Sequence, residues 1–258
     1  MQDRYAGDVG DFGKFALLRH LFVNTDYRLG IVWYQFPDES HNNDGKHVNY
    51  LLESKFQQVD KYLCTTLTII VEGERSTQAL NESGLLPINT VYYSEPLDFH
   101  LKHPSQTTDD KKSREDGRLN WHLKAMESVS NCNVIFIDPD NGLEINSCPK
   151  LSNLKSGKFA YYDEVRAYME HSDICVIYHH LNRHKNHGTH QQQIESRSKE
   201  LKERTGNTNY VLALRFKPYS PRAYFVLTKP SANQYVRQRL KDFLDSPHGS
   251  FWGTYFEM

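Results

Sequence analysis

The feature that most constrains the fold is a pair of short, uninterrupted apolar runs in the second half of the chain. Residues 134–137 read Val-Ile-Phe-Ile and stop at the acidic turn 138–142, and residues 173–180 carry a second run. Runs of about four to eight residues bounded by turn formers are typical of strands that are buried on both faces. A helical pattern at 163–170 lies between the two runs, and this order of strand, helix and strand predicts a parallel pair.

The remaining patterns extend this pair into a larger sheet. Apolar side chains recur at helical spacing in 12–23, and 29–36 is a run of β-branched and aromatic residues that is typical of a strand. Two neighbouring strand patterns at 210–216 and 222–228 predict an antiparallel pair. The predicted fold class is therefore α/β, a Rossmann-like, mostly parallel sheet with an antiparallel edge strand. We also expect a short strand at 89–93 and helices at 119–130, 187–204 and 234–244.

A long polar stretch separates the first strand from the central pair. We expect one α/β domain over 1–258, with an inserted polar and helical segment at about 37–120. Residues 48–62 predict a helix, whereas 67–73 is compatible with a strand or a short apolar turn. Residues 100–118 have almost no apolar side chains, which predicts an exposed, mobile loop. Its basic residues are interpreted first as a solvated surface and second as contacts for nucleic-acid phosphates: Lys102, Lys111, Lys112, Arg114 and Arg118.

Composition excludes several classes of protein. Aromatic residues make up 12% of the chain, enough to build a large core, and a net charge of -1 excludes a uniformly basic nucleic-acid-coating protein. The 4 cysteines are far apart, so neither a disulfide scaffold nor a zinc ribbon is indicated. The apolar runs are too short to span a bilayer and the first residues are polar, which predicts a cytoplasmic protein with no membrane partner. The oligomeric state stays open.

The acidic turn after the central strand is the strongest candidate for chemistry. In an open parallel sheet, ligands bind beyond the carboxyl ends of the strands. Asp138 and Asp140 flank Pro139 at that place, and the proline stiffens the turn. Asn141 completes the motif, and Glu144 is a third acid nearby. A plain turn is the alternative, since these residue types also favour turns. We favour a functional role, because two carboxylates directly after a buried strand are costly to place.

The N-terminal arm is a second candidate. Gly7, Gly10 and Gly13 precede or open the first predicted helix, where backbone N–H groups attract an anion or a carboxylate. Lys14 would reinforce that attraction. The pattern is not a dinucleotide fingerprint, because no strand precedes it. A merely flexible arm is the alternative.

Two further clusters follow the acidic turn. Tyr161 and Tyr162 precede a helix start and could stack on a base, whereas the acids that follow them are explained by helix capping. His179, His180 and Arg183 follow the second buried strand and predict a polar pocket wall. A spacing of three residues could place three further histidines on one helical face for metal binding, although isolated exposed histidines usually bind none: His184, His187 and His190.

The arm at 6–15 and the turn Asp138-Pro139 together carry a family resemblance. The order of these parts resembles the class I S-adenosylmethionine-dependent methyltransferases. A Gly-Asp-x-x-Asp-x-x-Lys arm opens a helix, and then come a strand, an insertion, a strand ending in Asp-Pro and a later antiparallel pair. More narrowly, this order is similar to the ribosomal-RNA adenine-N6 methyltransferases with a D-P-P-Y motif. The resemblance implies that Lys14 lies by the cofactor and that Asp138 accepts a hydrogen bond from the target amine. The cofactor-binding residues it implies are Gly7, Asp8, Asp11, Lys14 and Asp38.

The sequence departs from that family at several positions. The second proline of the motif is Asp140, the stacking aromatic is Asn141, and the histidine after the arm's lysine is Phe15. The glycine-rich loop after the first strand is replaced by 37–45, which contains a single glycine. Close backbone approach to a cofactor usually requires glycines there.

Three functional hypotheses remain. The first is methyl transfer from S-adenosylmethionine to an amine of a nucleic-acid base, RNA or DNA, with catalytic residues Asp138, Pro139, Asp140 and Asn141. The second is a magnesium-dependent nuclease or phosphodiesterase, with Asp138, Asp140 and Glu144 as oxygen ligands. The third is a non-catalytic descendant that binds nucleic acid or a protein partner.

Overall fold

The computed structural model describes residues 1–39, 45–206 and 209–256. In these ranges the helices are α1 Val9–Phe22, α2 Ser54–Val59, α3 Lys61–Glu72, α4 Thr77–Glu82, α5 Phe99–Lys102, α6 Thr108–Ser128, α7 Tyr162–His171, α8 His190–Thr205 and α9 Pro230–Asp245. The strands are β1 Leu29–Trp33, β2 Val91–Tyr93, β3 Val134–Asp138, β4 Gly142–Leu143, β5 Phe159–Ala160, β6 Ile174–His180, β7 Tyr210–Phe216, β8 Arg222–Thr228 and β9 Trp252–Thr254. Short 3-10 turns connect several of them.

A central sheet organises the described residues. Seven of these strands form it in the order β2-β1-β3-β6-β8-β7-β9, while β4 and β5 form a small ribbon. β2, β1, β3 and β6 are parallel, and β8 runs antiparallel to both β6 and β7. The predicted α/β class with a mostly parallel sheet is confirmed. Because β1, β3 and β6 all point the same way, their carboxyl ends meet at one edge, where ligands bind in such sheets.

The central strand β3 shows why the sheet lies in the middle of the core. Val134 and Phe136 pack into one apolar layer with α1, α3 and α9, while Ile135 and Ile137 pack into a second layer with α6, α7 and α8. Successive side chains of a strand point to opposite faces, so a strand covered on both sides must be apolar at every position. This requirement explains the uninterrupted run in the sequence.

Residues 67–73 were predicted as a strand or an apolar turn, and that prediction is wrong. They form the second half of α3, which Asp60 caps by accepting a hydrogen bond from the Leu63 backbone N–H. Leu63, Leu67 and Ile70 recur at helical spacing and are buried on one face. A short β-branched run is therefore compatible with a helix when its apolar residues share a face with those before it.

The prediction of an exposed, mobile loop at 100–118 is also wrong. Most of it belongs to α6, which starts from the Thr107 cap, and Arg114 and Arg118 are 1% and 0% exposed. Lys102, Lys111 and Lys112 are exposed, so only the lysines of this cluster are available to a partner.

Arg118 anchors α6 to the rest of the core. Its guanidinium forms a bidentate pair with Glu164, at 2.7 Å and 2.9 Å, and donates to the Phe159 carbonyl at 2.8 Å. Tyr34 donates its hydroxyl to the same carboxylate at 3.1 Å. Burial alone would raise the pKa of Glu164, but Arg118 outweighs it and the pKa lies below its usual range. One buried pair thus joins α6, α7 and the end of β1.

We predict that Arg118→Met lowers the free energy of unfolding by about 3–5 kcal/mol, because the Glu164 carboxylate would stay buried without its cation. Urea unfolding measures the change. The control is Arg166→Met, which removes an exposed pair with Asp163 and should change stability by less than about 0.5 kcal/mol. Equal effects of the two substitutions would contradict the assigned role of Arg118.

Candidate functional site

A cavity of about 440 Å³ opens at the carboxyl ends of β3 and β6, next to the start of α1. We call it the first cavity. Its walls are Met1, Tyr5, Asp8, Gly10, Lys14, Gly45, His47, Asp138, Pro139, Asp140, Asn141, Tyr178, His180, Leu181, Asn182, Arg183, Ser220 and Arg222. The arm, the acidic turn and the histidine segment, which are far apart in sequence, therefore meet at one place.

An ion pair joins the arm to the acidic turn. The Lys14 Nζ lies 2.6 Å from Asp138 Oδ2 and 2.7 Å from Asp11 Oδ1, and all three side chains are buried. The ammonium also lies over the rings of Trp33 and Tyr178, at 5.4 Å and 5.5 Å from their centroids. Two carboxylates and two aromatic faces together compensate a buried cation.

The titration of this cluster follows from burial and from mutual attraction. Burial would lower the pKa of Lys14, but Asp11 and Asp138 outweigh it and hold the pKa well above its usual value. Burial raises the pKa of Asp11 to about 6, against the opposing effect of Lys14. The lysine is therefore a permanent cation at neutral pH and does not act as a general base.

The arm is held by its own hydrogen bonds. Asp8 caps α1 by accepting from the N–H groups of Gly10 and Asp11, at 2.7 Å and 3.3 Å. The Gly7 N–H donates to Asp11 Oδ2 at 2.8 Å. Of the residues predicted to bind a cofactor, Asp8 and Lys14 line the first cavity, whereas Gly7, Asp11 and Asp38 do not. Asp38 instead accepts from the Arg4 backbone N–H at 3.3 Å.

The acidic turn places a second carboxylate on the first cavity. The Asp140 side chain is 3% exposed, and its Oδ2 accepts from Gln2 Nε2 at 2.9 Å and lies 3.4 Å from Lys158 Nζ. Its Oδ1 has no hydrogen-bond partner among the described residues. A buried oxygen without a partner is costly to a folded protein. Pro139 and the exposed Asn141 complete this wall.

Two arginines also line the first cavity. The Arg222 side chain is 5% exposed, donates from Nε to the Tyr178 hydroxyl at 3.2 Å, and lies 3.7 Å from Asp8 Oδ2. Arg183 is exposed and donates to the Ser220 hydroxyl at 2.7 Å. The first cavity is therefore lined by both acidic and basic side chains. Sequence reasoning missed Arg222. The only signal was an arginine at the start of β8, the strand that pairs with β6, which ends in His179 and His180.

The end of β1 is covered by the first residues of the chain. The Met1 amine donates to the carbonyls of Tyr34 and Asp138, at 2.8 Å and 3.0 Å, and Phe36 donates its N–H to the Met1 carbonyl at 2.8 Å. The backbone groups that follow β1 are thus already bonded. The replaced glycine loop continues into 40–44, which lies outside the described residues.

The tyrosines predicted to stack on a base do not line either of the larger cavities. Tyr161 is 6% exposed and donates its hydroxyl to the Lys150 carbonyl at 3.1 Å. Tyr162 is 2% exposed, and its hydroxyl contacts Glu200 and Arg197. Both rings are core residues, so the geometry gives no support to base stacking by either.

The two neighbouring histidines differ in environment. His179 is buried, and its Nδ1 accepts from the Leu143 N–H at 3.0 Å. Burial, with a smaller effect of Arg197, lowers the pKa of His179 to about 3, so the ring is neutral. His180 is exposed and lines the first cavity. A second cavity of about 640 Å³ adjoins the first at Asn141, His180 and Asn182, and His179 lies on it.

The magnesium hypothesis gains no support from the carboxylates it needs. Asp138 pairs with Lys14, and Glu144 pairs with Arg204 at 2.6 Å. Within the part of the chain that the structure describes, no group of three or more His, Cys, Asp or Glu side chains is arranged to hold a metal ion. This finding includes His184, His187 and His190. Magnesium remains a prediction from sequence.

Comparison with known proteins adds little to this geometry. No family model matches the sequence, and no curated protein matches it. Among solved structures, the chain is similar to protein LPL1258 from Legionella pneumophila str. Philadelphia 1, described with the family model DUF519. The TM-score is 0.46 at 10% identity, over 98% of this chain and 97% of that chain. A likeness this weak carries no information on activity. None of the described helices is long and apolar enough to cross a membrane.

We predict that His179 makes the protein less stable in acid. The unfolded chain protonates this histidine near pH 6.5, whereas the folded protein resists protonation until about pH 3, so stability falls as the pH decreases from 6.5. His179→Asn keeps an acceptor for the Leu143 N–H and should retain about 1–2 kcal/mol that the native protein loses between pH 7 and pH 5. Urea unfolding at the two values tests this. The exposed His171→Asn should follow the native protein, and identical profiles for both variants would contradict the prediction.

Proposed function

We propose that this chain is an enzyme of the methyltransferase fold that transfers a methyl group from S-adenosylmethionine to an amine of a nucleic-acid base. The observation that carries the proposal is the 2.6 Å contact between Lys14 and Asp138 on the wall of a cavity. These are the residues to which the family resemblance assigns the cofactor and the target amine. Their separation by 124 positions makes the contact a property of the fold and not of local sequence.

The order of elements supports the same proposal. An arm opens α1, β1 follows, a largely helical segment intervenes, and β3 ends at Asp138 and Pro139. The later antiparallel pair is β7 with β8. These are the parts on which the resemblance rests. The proposal is therefore consistent with both motifs and their placement on the sheet.

The first cavity suits the amino-acid end of the cofactor. That end carries an ammonium and a carboxylate, and the side chains of Asp140 and Arg222, one acidic and one basic, both line the cavity. S-adenosylmethionine, when bound, supplies a methyl group activated on a sulfonium. Residues 34–39, which directly follow β1, do not line the cavity, and the Phe36 N–H among them donates to the Met1 carbonyl.

The chain's own residues would position the target amine. Lys14 holds Oδ2 of Asp138, which leaves Oδ1 to accept a hydrogen bond from the amine. The carbonyl of Pro139 would be a second acceptor, so that the nitrogen lone pair is oriented without full removal of a proton. Arg183 and His180 at the exposed rim would pair with a phosphate of the strand. The target base must leave its stack to enter.

We predict that S-adenosylmethionine binds the protein in a calorimetric titration and that Lys14→Met weakens binding at least about tenfold, because Asp138 and Asp11 lose the cation that orders them. The control is Lys55→Met, an exposed lysine that pairs with Glu53 and should not change affinity. The absence of any binding to the native protein would remove the proposal. Retained RNA or DNA binding in that case would favour the non-catalytic hypothesis.

We also predict that Asp138→Asn lowers the rate of methyl transfer to single-stranded RNA or DNA about 100-fold, since the amide presents a weaker acceptor to the amine. Cofactor affinity should change less than about threefold if Asp138 acts mainly on the amine. Transfer of labelled methyl groups in the presence of a chelator measures the rate. Magnesium-dependent cleavage of the nucleic acid without methyl transfer would instead support the nuclease hypothesis.

A further inference from the structure

The second cavity lies between α8, the β4–β5 ribbon and the end of β6, and no role above uses it. We propose that it binds an uncharged nucleobase, the neighbour of the base whose amine enters the first cavity. The choice of ligand class rests on the proposed function, whereas the existence of a site there rests on the cavity itself. Its volume of about 640 Å³ is within the range of small-molecule sites.

The two cavities are neighbours. Asn141, His180 and Asn182 line both, so the two cavities share part of their walls. Proteins that bind single-stranded nucleic acid take up unstacked bases individually, and a base that reacts is turned out of its stack. A strand that delivers its target base to the first cavity would bring an adjacent base to the second.

The charged groups at the second cavity neutralise each other. Arg197 lies 2.6 Å from Glu200 and donates to the Tyr162 hydroxyl at 3.0 Å. His179 is a neutral ring. Among the described residues of its walls, the Arg197–Glu200 pair therefore offers a ligand no net charge, which favours a neutral polar ligand.

His179 presents a fixed donor to this cavity. Because its Nδ1 accepts from the Leu143 N–H, the proton of the neutral ring must be on Nε2. The ribbon can approach the ring this closely because residue 142 is a glycine with φ +106, where an added Cβ would lie 2.8 Å from the His179 Cα. A ring nitrogen or carbonyl of a base is the matching acceptor.

The other walls match a planar polar ring. Phe159 and Ile145 supply an apolar surface, and Asn146 and Gln192 supply amides. Amide side chains pair with the donor and acceptor edges of bases, and single-stranded bases bind against aromatic rings. An apolar surface, amides and one neutral ring donor are the combination expected for a base rather than for a phosphate or a sugar.

Free adenosine, guanosine, cytidine and uridine are the probes, each titrated into the full chain and followed by ligand-observed NMR. Ser147→Trp places an indole from an exposed wall position into the second cavity and should weaken the preferred nucleoside at least about tenfold. Ser130→Trp is the matched control on an exposed site outside both cavities. This control variant should bind the nucleoside within about twofold of the native protein.

The results separate this inference from the proposed function. Loss of nucleoside binding in Ser147→Trp alone supports the second site, whether or not S-adenosylmethionine binds. Equal affinity in Ser147→Trp and Ser130→Trp, or no nucleoside binding by the native protein, would overturn it. Cofactor titration of Ser147→Trp is run in parallel, and urea unfolding shows that the variant is folded. Cofactor binding without any nucleoside binding would leave the proposed function standing and remove the second site.

Discussion

The buried contact between Lys14 and Asp138 is the interaction on which the candidate site depends. It ties the first helix to the carboxyl end of the central strand, and so fixes where the arm lies relative to the sheet. A buried ion pair is worth little to stability when its desolvation is counted, and removal of one partner is far more costly than its presence is beneficial. The pair is therefore better explained by the groups that it positions than by a contribution to stability. It holds one carboxylate oxygen, orients the other, and places a permanent cation beneath the cavity.

Much of the sheet could be predicted from the sequence, because its central strands must be apolar on both faces. The runs ending at Asp138 and His180 were located within one or two residues. The error at 100–118 has a physical cause. In α6 the inward face carries Arg114 and Arg118, and a helix whose buried face is charged gives no hydrophobic period to detect. Glu164 compensates the buried charge of Arg118. It lies 46 residues away in sequence, so only the fold brings the two together.

The candidate site was predictable to the extent that polar residues follow strands at one edge. That rule located the acidic turn, the arm and His180 around a single cavity. It could not locate Arg222, which begins β8. Because β8 runs antiparallel to β6, the start of β8 lies at the same edge of the sheet as the end of β6. The local sequence does not reveal that these two strands are neighbours. It also misassigned Tyr161 and Tyr162, since adjacency to a helix start does not distinguish an exposed ring from one packed in the core.

Gly142 and the side chain of His179 lie in close contact. The ribbon packs so tightly on the end of β6 that a methyl group at residue 142 would overlap the imidazole, and the positive φ adds strain for any other residue. Position 142 is therefore restricted to glycine for as long as the ribbon packs on β6. A smaller residue at 179 would not lift this restriction, because an added Cβ at 142 would also lie 2.8 Å from the Cα of residue 179.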